Sequence, residues 1–341
     1  MEATVKEQKS PQQLIVSIGP HVHAAESTQT IMWSVSGALL PAAIMSVYYF
    51  GFRALMIIVV SILTAVISEA AVQKMRGKDV TVSDGSAFLT GLLLALNVPS
   101  SVPLYIPAVG TFVAIVITKQ LFGGLGFNIF NPALIGRAFI LISFPKLMTT
   151  YYEPLAAMGM DAKTAATPLG ILKEEGMARL LEIFHTKAAL YQHLFLGNRA
   201  GSLGETSIAA LLLGAAFLFF KRYITWHIPL SFILTTALLT WAFGGREGLM
   251  TGDPILHVLS GGLILGAFFM ATDYVTGPSV RSAQVIFGIA CGALTALIRL
   301  KGGYPEGVMF AILIMNCFAP LLDRRVRSRV FGKAEARGVK K

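Results

Sequence analysis

Asn128 and Asn131 stand in Gly123-Gly-Leu-Gly-Phe-Asn-Ile-Phe-Asn-Pro-Ala-Leu-Ile-Gly-Arg-Ala-Phe, a stretch with few other polar side chains. A spacing of three puts both amides on one helical face. An amide offers donors and an acceptor together, which suits the edge of a planar heteroaromatic ligand. Pro132 follows directly, so Asn131 also reads as the cap of a helix with proline in its first turn. Arg137 comes six residues later in the same apolar run. A guanidinium there needs an anionic partner, backbone carbonyls, or a route to the surface along its own stem. Asp84 and Asp273 lie at opposite ends of two short apolar segments, in roughly corresponding places. A carboxylate within a membrane can bind a cation or relay a proton. The plainer readings are an N-cap for Asp84 and a solvated loop end for Asp273. Glu69 reads as solvated, near the inner end of its segment. Thr167-Pro168 reads as a helix start, and a helix start favours phosphate. Cys291 and Cys317 form no CxxC and have no His at ligand spacing, so they read as small buried hydrophobes rather than metal ligands.

The elements that must position these residues follow from composition. The chain has 341 residues, of which 55% are hydrophobic and 13% charged. Soluble domains carry about a quarter charged residues. The mean hydropathy of +0.68 agrees with a polytopic helical membrane protein. Ten apolar segments are expected at about 29–50, 54–73, 84–98, 103–121, 128–144, 206–220, 225–243, 255–271, 283–300 and 305–322. The segments 84–98 and 255–271 are short and end in Asn97-Val-Pro and Thr272-Asp-Tyr, as expected of helices that break inside the bilayer around a ligand. Residues 84–97 and 259–272 are weakly alike, with Gly91 matching Gly266. Five segments per copy would make the two copies inverted.

The net charge of +10 does not point to nucleic acid. Much of it falls in the tail 323–341, after an apolar run. Basic residues flank the cytoplasmic side of membranes. Lys74, Arg76, Lys78, Lys119, Lys221, Arg222 and the tail fit cytoplasmic N- and C-termini; Arg53, Arg246, Arg299 and Lys301 are exceptions. No cleaved signal peptide is expected at the polar N-terminus. The chain then divides into a cytoplasmic segment 1–28, a membrane repeat 29–144, an extracytoplasmic loop 145–205, a second repeat 206–322 and a cytoplasmic tail 323–341. Within the loop, LGILKEEGMARLLEIF is amphipathic and reads as a helix on the membrane surface, interrupted at Gly176.

Ser83-Asp-Gly-Ser, the asparagine–proline block from Phe122, Thr164-Ala-Ala-Thr-Pro-Leu, Ala271-Thr-Asp and Tyr304-Pro-Glu-Gly-Val-Met-Phe-Ala occur in that order. Together they resemble the family of the D subunit of the Rnf complex, an ion-pumping ferredoxin:NAD oxidoreductase, and its homologue, the B subunit of Na⁺-translocating NADH:quinone reductase. The resemblance covers nearly the whole chain, and its length favours the Rnf member. It implies FMN joined by a phosphoester to the last threonine of a (Ser/Thr)-Gly-Ala-Thr motif, here Thr167. Ala165 stands where the family usually has glycine, so a small residue is kept. It also implies a non-covalent riboflavin at Asn128 and Asn131, and ion translocation involving Asp84 and Asp273. The implied fold is all-α, with ten transmembrane helices in two inverted five-helix repeats, similar to urea transporters.

The implied function is to pass electrons between FMN and riboflavin during ferredoxin:NAD oxidoreduction, coupled to Na⁺ or H⁺ translocation. The chain would be one component of that translocase in the inner membrane. The implied partners are a flavin-bearing extracytoplasmic subunit, Fe–S subunits and a flavin transferase. Other expectations are a urea-transporter-like solute channel and a flavin-free structural anchor.

Overall fold

The structure is a computed structural model and describes residues 26–154, 164–245 and 248–326. Nearly all of the expected N-terminal segment, most of the basic tail, and Arg246 lie outside the described residues. So does part of the outer loop, 155–163.

Helices α1 (Thr28–Phe50) and α2 (Phe52–Met75) are joined at Gly51, and each packs chiefly on another helix, α1 on Ile208–Phe220 and α2 on Ser86–Leu96. Helix α3 (Ser86–Leu96) is short and begins after Gly85. Asn97 ends it, and Pro99, which cannot donate to a continuing helix, pairs as an isolated bridge with Ser202. Helix α4 (Tyr105–Val113) runs on as a π-helical stretch, Ala114–Gln120. Helix α5 (Pro132–Ser143) packs beside it, with α6 (Pro145–Thr149) following. Gly136 permits that approach: a Cβ there would lie 2.5 Å from the Gly110 carbonyl oxygen of α4. Small residues at such crossings let helix backbones come together in membranes.

Strands β1 (Tyr151–Tyr152) and β2 (Thr164–Ala165) form a two-stranded antiparallel ladder, with Tyr151 opposite Ala165. Helices α7 (Pro168–Glu174), α8 (Met177–Phe184) and α9 (Lys187–Leu196) follow. The break expected at Gly176 is present, with the backbone there at φ 93°, a conformation that glycine tolerates. The apolar faces of these helices meet in a small core of their own, built from Leu169, Leu180, Leu190 and Leu194 with Leu256.

Helices α10 (Ile208–Phe220) and α11 (His227–Phe243) come next. Helix α12 (Pro254–Leu259) is capped by Asp253 and stops at Ser260. The chain bends at Gly261 and restarts as α13 (Leu263–Leu265), which continues as a π-helical stretch, Gly266–Met270. Helices α14 (Arg281–Lys301) and α15 (Val308–Arg325) complete the chain. The break within the expected segment 255–271 therefore lies at 260–262, and its last turns are wound as a π-helix. α10 packs on α1, and α15 touches α5, so the two halves interlock.

Among the described residues, Thr28–Phe50, Phe52–Met75 and Arg281–Lys301 are each long and apolar enough to cross a membrane. Large apolar side chains such as Ile44, Leu63, Ile142, Leu213 and Leu238 are exposed on the outer faces of the helices. In water such a surface would aggregate; in lipid it is the solvated surface.

Candidate functional site

Asn131 caps α5. Its Oδ1 accepts from the N–H groups of Ala133 (3.1 Å) and Leu134 (3.3 Å). Its Nδ2 is left facing the Met270 carbonyl at a long 3.5 Å. Asn128 lies just upstream, buried, with Nδ2 donating to the Phe130 carbonyl at 3.1 Å. The cap reading of Asn131 holds: the acceptor end serves the helix, and the donor end is turned to the Met270 carbonyl at the cleft wall.

Both asparagines line a cleft between the two halves of the molecule, together with Asp273, Thr272, Phe269 and Lys119. Its lining is drawn from both halves of the chain, Leu89 and Leu93 on one side and Phe268 and Phe269 on the other. Its walls are mostly apolar and its few polar groups converge. A donor from Asn131 and an amide from Asn128 over aromatic and aliphatic walls fit one edge of a planar heterocycle. Asp273 is not a fully solvated loop end. Burial raises its pKa, and hydrogen bonds from Thr276 Oγ1 (2.9 Å) and the Val275 N–H (3.3 Å) partly offset that.

Asp84 is not among the residues lining the cleft. Its Oδ1 accepts from the Ser86 N–H (2.8 Å) and hydroxyl (2.6 Å) across Gly85, which, rather than Asp84, is the N-cap of α3. That same Ser86 hydroxyl takes a 2.6 Å hydrogen bond from Lys119, whose ammonium also pairs with Glu69 at 2.8 Å. Gln120 and Gln73 complete the surroundings of Glu69. Two sequence readings are overturned here. Glu69 is buried rather than solvated, and Lys119 is a buried partner rather than a flanking loop charge. The reason is mutual: each charge is carried on an otherwise apolar helix, and only the packing of α2 against Ala114–Gln120 brings them together. An acid in one apolar segment and a base in another was the available signal, but it does not say which pair meet.

Arg137 does not snorkel. It donates to Asn97 Oδ1 (2.9 Å) and to Glu306 Oε2 (2.5 Å), with Glu205 Oε1 at 3.8 Å. Neither glutamate was singled out from the sequence: Glu205 ends the expected outer loop, and Glu306 stands at the very start of the expected segment 305–322.

Thr167 caps α7, its Oγ1 accepting from the Gly170 N–H at 3.2 Å, with Pro168 in the first turn. It is 8% exposed, so its neighbours shelter the hydroxyl. Ala165 lies in β2 with ordinary extended backbone, so this site needs no glycine for its conformation. Thr167 belongs to the loop region, while Asn128, Asn131 and Asp273 share the cleft. Cys291 is buried on α14, whereas Cys317 is exposed on α15, contrary to the expectation that both are buried.

Comparison with known proteins agrees with the resemblance carried by these motifs. The model of the NQR2, RnfD, RnfE family matches residues 15–332. The chain is 54% identical over 317 residues to the D subunit of the proton-translocating ferredoxin:NAD(+) oxidoreductase complex of Clostridium ljungdahlii, covering 93% of this chain and 96% of the relative. It is 45% identical over 323 residues to the D subunit of the Na(+)-translocating ferredoxin:NAD(+) oxidoreductase complex of Acetobacterium woodii, covering 94% and 95%. Against the D subunit of the ion-translocating oxidoreductase complex of Citrobacter koseri the identity is 37% over 352 residues, covering 93% and 98%. The match runs through the asparagine helix, both broken segments and the outer loop, and the chain belongs to the NQR2, RnfD, RnfE family of integral membrane proteins.

Proposed function

We propose that this chain is the flavin-carrying membrane subunit of an ion-motive ferredoxin:NAD oxidoreductase, with FMN esterified to Thr167 and riboflavin in the cleft at Asn128 and Asn131. The observation that carries this reading is the convergence of Asn128, Asn131 and Asp273 on one mostly apolar cleft in a chain of this family. When bound, the flavins supply the electron-transfer chemistry.

The protein's own part is positioning and charge. Thr167 contributes the oxygen that joins the phosphate, in a helix-capping position. Asn131 offers its remaining N–H donors, and Asn128 its amide, to the ring edge. Phe269 and its apolar neighbours exclude water. Asp273 takes a proton or cation, and its affinity follows the charge in the cleft because the surroundings are of low dielectric. Asp84 acts further off, through Ser86 and Lys119. Translocation of Na⁺ or H⁺ is coupled through these acids.

In this reading the helices form ten spans in two inverted repeats, similar to urea transporters, divided at 1–28, 29–144, 145–205, 206–322 and 323–341. The termini face the cytoplasm and Thr167 faces outward, where a flavin transferase acts. Fe–S subunits and an extracytoplasmic flavin-bearing subunit are its partners in the inner membrane.

In-gel flavin fluorescence under denaturing conditions tests the covalent site. The band is expected to vanish in Thr167→Ala with protein level unchanged; a band that persists sinks the assignment. Asn131→Asp keeps a helix cap but replaces the amide. It is expected to lower non-covalent flavin while sparing the Thr167 adduct, and an unchanged content would refute the second site.

A further inference from the structure

Above the cleft, on the side of the outer loop, lies a second set of buried polar groups that the flavin reading does not use. Glu205 ends the turn before α10, and Glu306 lies in the connection between α14 and α15. Their carboxyls are within hydrogen-bonding reach of each other. Two carboxylates cannot bond to each other unless one carries a proton. Glu205 is 3% exposed, and its Oε1 has no hydrogen-bond partner among the described residues. The hydroxyl of Ser260 is also buried and has no hydrogen-bond partner among the described residues.

The surrounding cations do not neutralise the pair evenly. Arg137, from α5, binds Glu306 at 2.5 Å and reaches Glu205 only at 3.8 Å. Arg199 is turned to the Glu205 backbone carbonyl at 2.6 Å. Arg299, from α14, is turned to the carbonyls of His257 (2.5 Å) and Ser260 (3.0 Å). Tyr151, from β1, faces both acids. Glu306 therefore holds the close ion pair, and Glu205 is left as the member that accepts the proton. The break in the helix at Gly261-Gly262 closes over the site. A Cβ at Gly262 would lie 3.3 Å from Glu205 Oε1, and one at Gly261 would lie 2.9 Å from an Arg299 nitrogen.

The position of the pair gives it a role. On the cleft side, Arg137 donates to Asn97, whose own Nδ2 meets Met270 Sδ at 3.7 Å, and the Met270 carbonyl faces Asn131. On the loop side, a Cβ at Gly261 would meet Leu169 at 3.0 Å, two residues from Thr167. Polar contacts thus run from the cleft to Arg137 and the acid pair, and the loop helix lies close by at Leu169.

We propose that Glu205 and Glu306 form a buried proton-binding site that holds one shared proton, with Arg137 fixing which carboxylate stays ionised. The site takes its proton on the Glu205 carboxylate and returns it as that same O–H bond breaks, with no redox change in the protein. Its link to electron flow rests on the flavin reading above; the site itself does not. Burial, and Glu306 beside it, push the Glu205 pKa up to about 8, so the pair titrates near physiological pH.

Infrared difference spectroscopy of the purified intact complex during a pH titration tests this. The wild type is expected to show a buried protonated-carboxyl C=O band that is lost as pH rises through about 8. Glu205→Gln is expected to abolish that band, and Glu205→Asp to keep it with a shifted midpoint. A band unchanged in Glu205→Gln overturns the proposal. So does a band that 100-fold more Na⁺ removes at fixed pH, because the ligand would then be the cation. Glu306→Gln is a second probe should the first variant fail to assemble: it too is expected to remove the pH-dependent band, and retention overturns the pair. Flavin content measured on the same samples separates the outcomes, since loss of flavin with the band intact would fault the flavin reading alone.

Discussion

Lys119 and Glu69 show what a single residue means in this molecule. Each is 1% exposed, and each would be expensive to bury alone. Their 2.8 Å pair, the Ser86 hydroxyl and Gln120 satisfy both. Removing one partner leaves an unpaired buried charge, which typically costs about 3–5 kcal/mol. Lys119→Met is therefore expected to lower the melting temperature of the detergent-purified protein clearly, and Lys119→Met with Glu69→Gln to recover part of the loss. Equal melting temperatures for Lys119→Met and wild type would show that the pair is not buried as described. Asn131 teaches a related lesson. Its residue type and the following proline already marked a cap, and the spacing to Asn128 already marked a shared face. That the cap consumes the oxygen and leaves the nitrogen to the cleft depends on the orientation of one side chain.

At the scale of elements, the short helices decide where ligands can sit. α3 and the α12–α13 pair stop short, and their ends meet at Asn97 and Met270. Half-helices of this kind place backbone ends and polar side chains inside a membrane, where a continuous helix would bury them. Residue pattern located the first interruption, because Asn97-Val-Pro cannot continue a helix easily, but it placed the second at Thr272-Asp-Tyr, whereas the helix breaks at Ser260-Gly-Gly. It did not locate the π-helical turns at Ala114–Gln120 and Gly266–Met270, since these arise from packing rather than propensity. Helix approach is testable at Gly136. A Cβ there would lie 2.5 Å from both the Gly110 carbonyl oxygen and Leu94 Cδ1, so Gly136→Ala is expected to destabilise by about 1–3 kcal/mol. Gly37→Ala meets nothing within 4 Å and is expected to be neutral or slightly stabilising. Thermal unfolding of the two variants side by side checks the contrast; equal losses would rule out close packing at Gly136.

For the whole molecule, the proposed topology sets two sides that chemistry can distinguish. Lys187 on α9 and Lys78 after α2 are both exposed. In a cysteine-free background, Lys187→Cys is expected to react with a membrane-impermeant maleimide on intact cells and Lys78→Cys only after lysis. The opposite pattern would invert the topology and move Thr167 to the cytoplasm. Composition alone established a helical membrane protein, because 55% hydrophobic residues cannot be buried in a core of this size and must meet lipid. Short-range chemistry also established the caps at Asn131 and Thr167, since a cap depends on its own next three residues. Family motifs supplied the flavin expectations attached to those caps. The tertiary structure alone decided which charges meet: Lys119 with Glu69, and Arg137 with Glu306 across 169 positions of chain. A charge in an apolar segment states that a partner is needed, but its identity is fixed only when helices distant in sequence pack together. The acid pair at Glu205 and Glu306 was invisible for the same reason: one ends the expected loop and the other opens an expected segment far along the chain, and only the fold brings both to Arg137.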